Sequence, residues 1–541
     1  MAAAWEGRLP AAGAAERARS LFSRTQPETA LAPSSALPDF DAFRLKRFLQ
    51  SLNEDALLRQ PEAALGDVAA ILERSPRAVL IERPGGGDTP LCGNVAGSRE
   101  RLAHAFGTTA AELPTEVIRR LRNKPEFIEV PPAQAPVREV VLEGSDCDLT
   151  RLPVHLQHGL DGAPYISASI DFVRDPDTGW TNVGVRRLML RGRRVAGIDL
   201  VAPSDLRAIY LKQSGRGARV PIAFAVGSHP IDHIAATMRI PGDELGLLSS
   251  LRAAPLPVVR CLTNDLLVPA DAEFIIEGYL DEAGHVEPEG PYGEFLGYYG
   301  VVKKNPLFHV TAITHRRDAI FQTATISGPN MAWTDTAQLN ALRTEVMVWR
   351  ALETAVREVK GVFAAPANGG MFNVRVALQQ RVPGEARNAI AAVFGSLSNV
   401  KHVFVVDPDI DIFSDTQMDW ALGTRFQADR DLVVQTGMRA MPLDPSLQGS
   451  RQGAKAGFDL TLPLLGPGES RPLEYRVPEA PRFQGRRFDS LEAALEDGPK
   501  YFEELMAATG SGDGREIVRW LEDMAAVRPL VRDDEGRYRF R

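Results

Sequence analysis

Cysteine, long apolar runs and an excess of basic charge are all scarce in this sequence, and each shortage removes a class of protein. Only Cys92, Cys147 and Cys261 occur among 541 residues. So odd and scattered a set excludes a disulfide framework and offers no CxxC pair for a metal. No apolar stretch approaches the roughly 18 residues of a membrane-spanning helix, so no membrane partner is expected. The formal charge is -8 and the pI ≈ 5.7. Basic runs such as Arg186-Arg187 and Arg191-Gly-Arg-Arg194 are short and local, whereas a nucleic-acid binder carries a basic stripe. No nucleic-acid partner is expected either. The opening residues, Met1-Ala-Ala-Ala-Trp-Glu-Gly-Arg8, lack the basic-then-apolar order of a signal peptide. The expectation is a cytoplasmic protein.

What is present is an ordinary globular composition, 44% apolar and 24% charged. The length exceeds one core and implies several domains. Periodicity divides the chain into an Ala- and Pro-rich arm at 1–37, an N-terminal α/β region at 38–150, a mostly β unit at 151–320, an α/β unit at 321–485 and a helical tail at 486–541. Within the first region, Ala63 to Arg74 and Pro114 to Asn123 are expected helices, and Val137 to Leu142 a strand. Tyr165 to Val173 and Asn182 to Leu190 alternate about the turn Arg174-Asp-Pro-Asp-Thr-Gly179, a hairpin signal. Further short strands at Val220 to Val226, Val258 to Leu262 and Phe274 to Leu280 suggest a barrel. A long helix over Ala337 to Val359 then opens an alternation of strands and helices, the pattern of an α/β layer. Ser490 to Glu504 and Arg515 to Val527 are expected helices of the tail. The fold class is therefore α/β and α+β multidomain, around a central barrel.

Several stretches carry possible chemistry. Glu289-Gly-Pro-Tyr-Gly-Glu294 sets two carboxylates around a stiff Gly/Pro turn. They are either wet loop residues or a pair aimed into one cavity. His158 is either catalytic, a ligand or structural. Arg83-Pro-Gly-Gly-Gly-Asp88 is a turn or a phosphate cradle, although it lacks the ending of known phosphate loops. Asp407-Pro-Asp-Ile-Asp-Ile412 is a metal site or a solvated strand end.

The segments Asn182-Val-Gly-Val-Arg-Arg187, Thr263-Asn-Asp-Leu-Leu-Val-Pro-Ala270, Glu289-Gly-Pro-Tyr-Gly-Glu294 and Gly453-Ala-Lys455-Ala-Gly-Phe-Asp459, in this order and at these separations, resemble the UbiD family of decarboxylases that use prenylated FMN. Asp161-Gly-Ala-Pro-Tyr165 and Trp420-Ala-Leu-Gly-Thr-Arg425 add to the likeness. The resemblance implies a central split β-barrel that binds the flavin, flanked by α/β domains, the C-terminal one making homodimers or homohexamers. It implies reversible non-oxidative decarboxylation of an aromatic, heteroaromatic or α,β-unsaturated acid through a covalent adduct with the cofactor. The family's catalytic arginine and two glutamates fall on Arg187, Glu289 and Glu294, with Glu294 as proton donor. A guanidinium beside two carboxylates can keep one ionised while burial favours the neutral form of the other.

Cofactor contacts fall, by the same resemblance, on Asn182, Val183, Gly184, Val185, Arg186, Arg187, Ser204, Asp205 and Lys455. A divalent metal, manganese or magnesium, is implied at the flavin phosphate, with potassium nearby, and a flavin prenyltransferase as cofactor supplier. Of the usual Asn, His and Glu ligands, Asn182 matches; Asp205 stands at the histidine position and Pro257 at the glutamate position. Those departures motivate an alternative, a degenerate flavin-binding or carboxylase-complex subunit without turnover. Thr325-Ile-Ser-Gly-Pro-Asn-Met-Ala-Trp333 is the expected pocket lining.

Overall fold

The computed structural model describes residues 38–541 apart from 398, 465–477 and 479. The expected arm at 1–37 lies outside the described residues. Those up to Leu464 form one compact unit and those beyond Leu465 a second.

Six antiparallel strands close into a barrel in the first unit. Their order is Phe274–Leu280, Val220–Val226, Tyr165–Arg174, Thr181–Leu190, Val195–Ile198 and Leu307–His315, and the last pairs back onto the first. An even number lets an all-antiparallel ring close, and closure removes the exposed edges that invite aggregation. Strand residues alternate between two apolar clusters, as the two-residue period requires. Ile222, Phe224 and Ile276 join one with Leu188 and Phe308. Ala223, Ala225 and Ile275 join the other with Ile234, Leu248 and Leu342 from three helices. Both faces are covered, so Pro221-Ile-Ala-Phe-Ala-Val226 reads as a continuous apolar run. The expected hairpin forms, Tyr165–Arg174 pairing antiparallel with Thr181–Leu190.

Around the barrel the sequence expectations need correction in places. A helix over Ala63 to Arg74 shrinks to Val68–Arg74, and Leu57–Ala63 before it is a strand. That strand contains Pro61, which lacks a ladder N–H; it lies at the sheet edge, paired on one side only. Val137 to Leu142 becomes Val140–Glu143, because Pro136 begins a short 3₁₀ turn instead. The glycine run at 85–87 is the turn between Ala78–Pro84 and Leu91–Gly93. The long helix runs Asp335–Ala355, its N-terminus capped by the Thr334 side chain accepting from the Ala337 N–H.

The C-terminal layer is a five-stranded sheet in the order Val359–Ala364, Asn373–Leu378, His402–Val406, Gln452–Asp459 and Leu432–Arg439. Its central pairs are parallel and its outer pairs antiparallel. The acidic strand end is structural: Arg425 pairs with Asp409, and Asp407 accepts from the Leu462 N–H. The second unit holds helices Leu491–Glu496, Phe502–Thr509 and Gly514–Val527 and a hairpin, around Leu495, Leu505, Ile517 and Leu521. The single helix expected over Ser490 to Glu504 is broken at Gly498-Pro499, where proline removes an N–H and disfavours helical backbone in the residue before it.

Candidate active site

Arg187 projects from Thr181–Leu190, and three carboxylates converge on its guanidinium. Its Nε donates to Glu289 Oε1 at 3.2 Å, and its Nη1 to Glu294 at 3.2 and 3.1 Å to the two oxygens. Its Nη2 donates to Asp199 Oδ2 at 3.0 Å. Tyr292 lies under the guanidinium, 4.3 Å from ring centre to carbon, a cation–π contact. Burial alone would push the arginine down, but Glu294, Glu289 and Asp199 together hold it above its ordinary value and firmly charged.

Lys303 completes the cluster. Glu287–Glu289 pairs antiparallel with Lys303–Asn305, with Glu289 directly opposite Lys303. Opposed residues share a sheet face, so the ammonium is delivered to the same side. It donates to Asp199 Oδ2 at 3.2 Å, the oxygen that Arg187 also uses, and lies 3.9 Å from Glu294 Oε1. Burial would raise the Asp199 carboxyl, yet Arg187 and Lys303 hold it below its ordinary value. Glu289 also accepts from the Tyr165 hydroxyl at 3.1 Å. Both glutamates are buried, at 1% and 6% exposure, which excludes wet loop carboxylates.

The turn between them is built for close approach. Gly290 has φ +95, left-handed backbone that favours glycine. A side chain at Gly293 would sit 2.5 Å from His158 Nδ1, so the acid turn packs directly on that ring. His158 has the partner that the sequence did not reveal, Asp161 three residues on, at 3.0 Å. Asp161 also accepts from the Gly293 N–H, tying histidine and turn together. On this side lies a cavity of about 450 Å³ bordered by Gln157, His158, Gly293, Tyr298, Tyr299 and Ser327. Ser327 and Gly328 are the part of the expected pocket stretch that reaches it.

Asn182 stands five residues from Arg187 on the same strand, about 16 Å away at the usual rise per residue. Its Nδ2 donates to Glu244 Oε2 at 2.6 Å, and the Val183 N–H donates to the same oxygen. The Asn182 Oδ1 is buried without a hydrogen-bond partner. A second cavity, about 220 Å³, is lined here by Asn182, Val183, Gly184, Val185, Arg186, Asp205 and Glu244, with Arg239, Asn340 and Arg343 facing them. Arg186 pairs at 3.3 Å with Asp171, whose carboxyl burial pushes up to about 6. Pro257 lies in the strand Leu256–Arg260, away from this cavity; the glutamate beside Asn182 is Glu244, which the sequence comparison misplaced. An orphaned amide oxygen with two nearby carboxylates is a hard-oxygen set that fits magnesium or manganese if a phosphate and water complete it. Among the described residues no group of three or more His, Cys, Asp or Glu is arranged for a metal.

Two further expected contact residues have partners within the fold. Ser204 caps the helix Asp205–Ser214, accepting from the Arg207 N–H. Lys455 donates to the Phe394 and Leu397 carbonyls at 2.9 and 2.7 Å in the C-terminal layer, and lines neither cavity. Asp199, Lys303 and Glu244 went unnoticed in the sequence because only strand register and folding bring them to the motifs.

A closed six-stranded barrel carrying a buried arginine shared by two turn glutamates is an arrangement suited to acid–base chemistry. Family models match three segments: the Rift-related domain of 3-octaprenyl-4-hydroxybenzoate carboxy-lyase at 128–330, its C-terminal domain at 337–460 and its N-terminal domain at 62–121. An anhydromevalonate phosphate decarboxylase from Methanosarcina mazei is 31% identical over 424 residues, 77% of this chain and 96% of that protein. Among solved structures, the UbiD-class enzyme HmfF from Pelotomaculum thermopropionicum, in complex with FMN, has 34% identity and a TM-score of 0.75, covering 81% of this chain and 97% of that one. The 3,4-dihydroxybenzoic acid decarboxylase of Enterobacter cloacae has 26% identity and a TM-score of 0.72, covering 78% and 94%. The chain belongs to the UbiD family and is a carboxy-lyase of the decarboxylase type.

Proposed function

We propose that this chain decarboxylates an aromatic, heteroaromatic or α,β-unsaturated carboxylic acid with prenylated FMN as cofactor. The observation that carries this is the Arg187 guanidinium held by Glu289, Glu294 and Asp199 on the strand that also bears Asn182. Prenylated FMN, when bound, supplies the electron sink that loss of carbon dioxide requires. Val183, Gly184, Val185 and Arg186 would line its path between the two ends of the strand, and Asn182, Glu244 and Asp205 would hold its phosphate through magnesium or manganese.

The residues do the rest. Arg187 receives the substrate carboxylate, which competes with Glu294 for the same guanidinium. The bond to the carboxylate carbon then breaks, its electrons stay with the substrate fragment, and Glu294 gives its proton to that carbon. Glu289, fixed by Tyr165 and Arg187, keeps the guanidinium aligned. One proton is consumed per turnover and is restored from water. The Gln157, His158 and Tyr298 side suits a planar acid.

Coexpression with a flavin prenyltransferase should give a coloured protein that releases carbon dioxide from a member of a furan, pyrrole, benzoate, cinnamate and acyl-thioester acid panel. Glu294→Gln should retain the flavin and lose turnover. A Glu294→Gln variant with full activity would sink the assignment of the acid. Glu244 beside Asn182 supports the enzyme reading over that of a non-catalytic subunit. Homodimer or homohexamer assembly, potassium and a cytoplasmic setting remain part of the proposal, testable by light scattering and metal analysis.

A further inference from the structure

Arg343 lies on Asp335–Ala355, the helix that opens the C-terminal layer, three residues after Asn340 and on the same face. It is half-buried and turns toward the cavity that holds Asn182 and Glu244. Among the described residues its guanidinium has no hydrogen bond and no ion pair. Arg239 lines the same cavity, and among the described residues it pairs with Asp205, at 4.0 Å. Burial and the neighbouring Arg239 charge both push the Arg343 guanidinium down. Two cations thus face one cavity, and the half-buried Arg343 has no ion pair among the described residues, an arrangement that an arriving anion would stabilise. Asp171 does not supply that anion, since it is paired with Arg186.

We propose that Arg343, from the helix Asp335–Ala355, and Arg239, just after the helix Pro230–Thr237, form a direct clamp for a phosphate monoester in the cavity that also holds Asn182 and Glu244. Guanidinium forks match phosphate oxygens in geometry and charge. The clamp rests on the flavin reading above for the identity of its ligand, the cofactor's terminal phosphate; a phosphorylated substrate is the other source of the same group. Because Arg343 belongs to the segment matched at 337–460 and Asn182 to that matched at 128–330, a bound phosphate would tie the two family domains together. It also lets part of the phosphate affinity survive without a divalent metal.

The test uses the full-length chain stripped of flavin and metal, titrated with FMN and with riboflavin and followed by flavin fluorescence, with and without EDTA. The wild type should prefer FMN and keep part of that preference in EDTA. Arg343→Ala should lose at least about tenfold in FMN affinity, the worth of a charge-assisted contact, with riboflavin affinity unchanged. Arg343→Lys should recover part of the loss. Removing an unpaired buried cation should leave the ligand-free melting temperature equal or higher, which a structural arginine would not do. The clamp is overturned if Arg343→Ala binds FMN like the wild type, or if it loses FMN and riboflavin alike. If the wild type binds neither flavin, the flavin reading fails separately. Inorganic phosphate then decides the clamp: it should raise the melting temperature of the wild type but not of Arg343→Ala, and equal response of the two overturns it.

Discussion

At the scale of single residues, the site is a balance of three carboxylates against two cations. Arg187 alone touches Glu289, Glu294 and Asp199, and Asp199 Oδ2 is shared between Arg187 and Lys303. Asp199 therefore acts as a strut: it aims the far end of the guanidinium while the near end meets the glutamates. Asp199→Asn and Lys303→Met should each lower kcat about tenfold or more by loosening that aim, since charge-assisted contacts are the strong ones. Flavin absorbance should be unchanged in both variants, and a kcat equal to the wild type would remove Asp199 and Lys303 from the catalytic arrangement. The turn chemistry marked the two glutamates, and the resemblance to UbiD decarboxylases marked them and Arg187 as the acid–base set. Lys303 was not legible, because no local pattern distinguishes a lysine in Lys303-Lys-Asn305 from any solvated strand residue.

At the scale of elements, the helix Pro230–Thr237 shows how packing sets protonation. His229 caps it, its Nδ1 accepting from the Ile231 N–H, with the ring edge-on to Phe43 and Phe48. Burial pushes this histidine down to about 4; His233, one turn on, is also pushed down by burial. A group depressed in the folded state binds its proton more readily in the unfolded chain. His229 thus contributes stability that is complete above the ordinary histidine range and is lost as pH falls toward about 4. The loss amounts to a few kcal/mol, by roughly 1.4 kcal/mol per pH unit. Melting temperature should fall steeply between about pH 6.5 and 4, and His229→Gln should flatten that dependence. A wild-type curve that is flat over that window would show that His229 titrates normally. Element identity was readable from periodicity, but ends were not: Pro61 concealed an edge strand, and Gly498-Pro499 cut a helix in two.

At the scale of the whole molecule, the barrel, the N-terminal sheet and the C-terminal layer share one compact unit, and the residues beyond Leu465 form another with its own apolar core. The family models end at residue 460, and the Methanosarcina mazei relative is matched over 96% of its length by 77% of this chain. Truncation after Leu464 should therefore leave the melting temperature of the main unit within a few degrees and preserve flavin binding. Loss of flavin binding in a truncated chain that is still folded by circular dichroism would give the second unit a role in the site. The strand Phe321–Gln322 pairs with Leu91–Gly93, so the N-terminal sheet takes a strand from just past the boundary that periodicity sets at residue 320.

The sequence by itself determined the class of fold, the closed β unit between helical layers, and the acid turn with its arginine. The β unit and the acid turn are written in local periodicity and turn residues, and the arginine that joins the turn came from the resemblance of several motifs in order to the UbiD family. Only the tertiary structure decided that Glu289 and Glu294 are buried on one guanidinium, that Asp199 and Lys303 join them, and that Glu244 rather than Pro257 stands beside Asn182. These pairings depend on strand register and on segments tens of residues apart, and neither leaves a mark in a short window of sequence. Arg343 is the clearest case. On its helix it is one more amphipathic arginine, and only the folded chain shows that it faces a cavity with no ion pair of its own among the described residues.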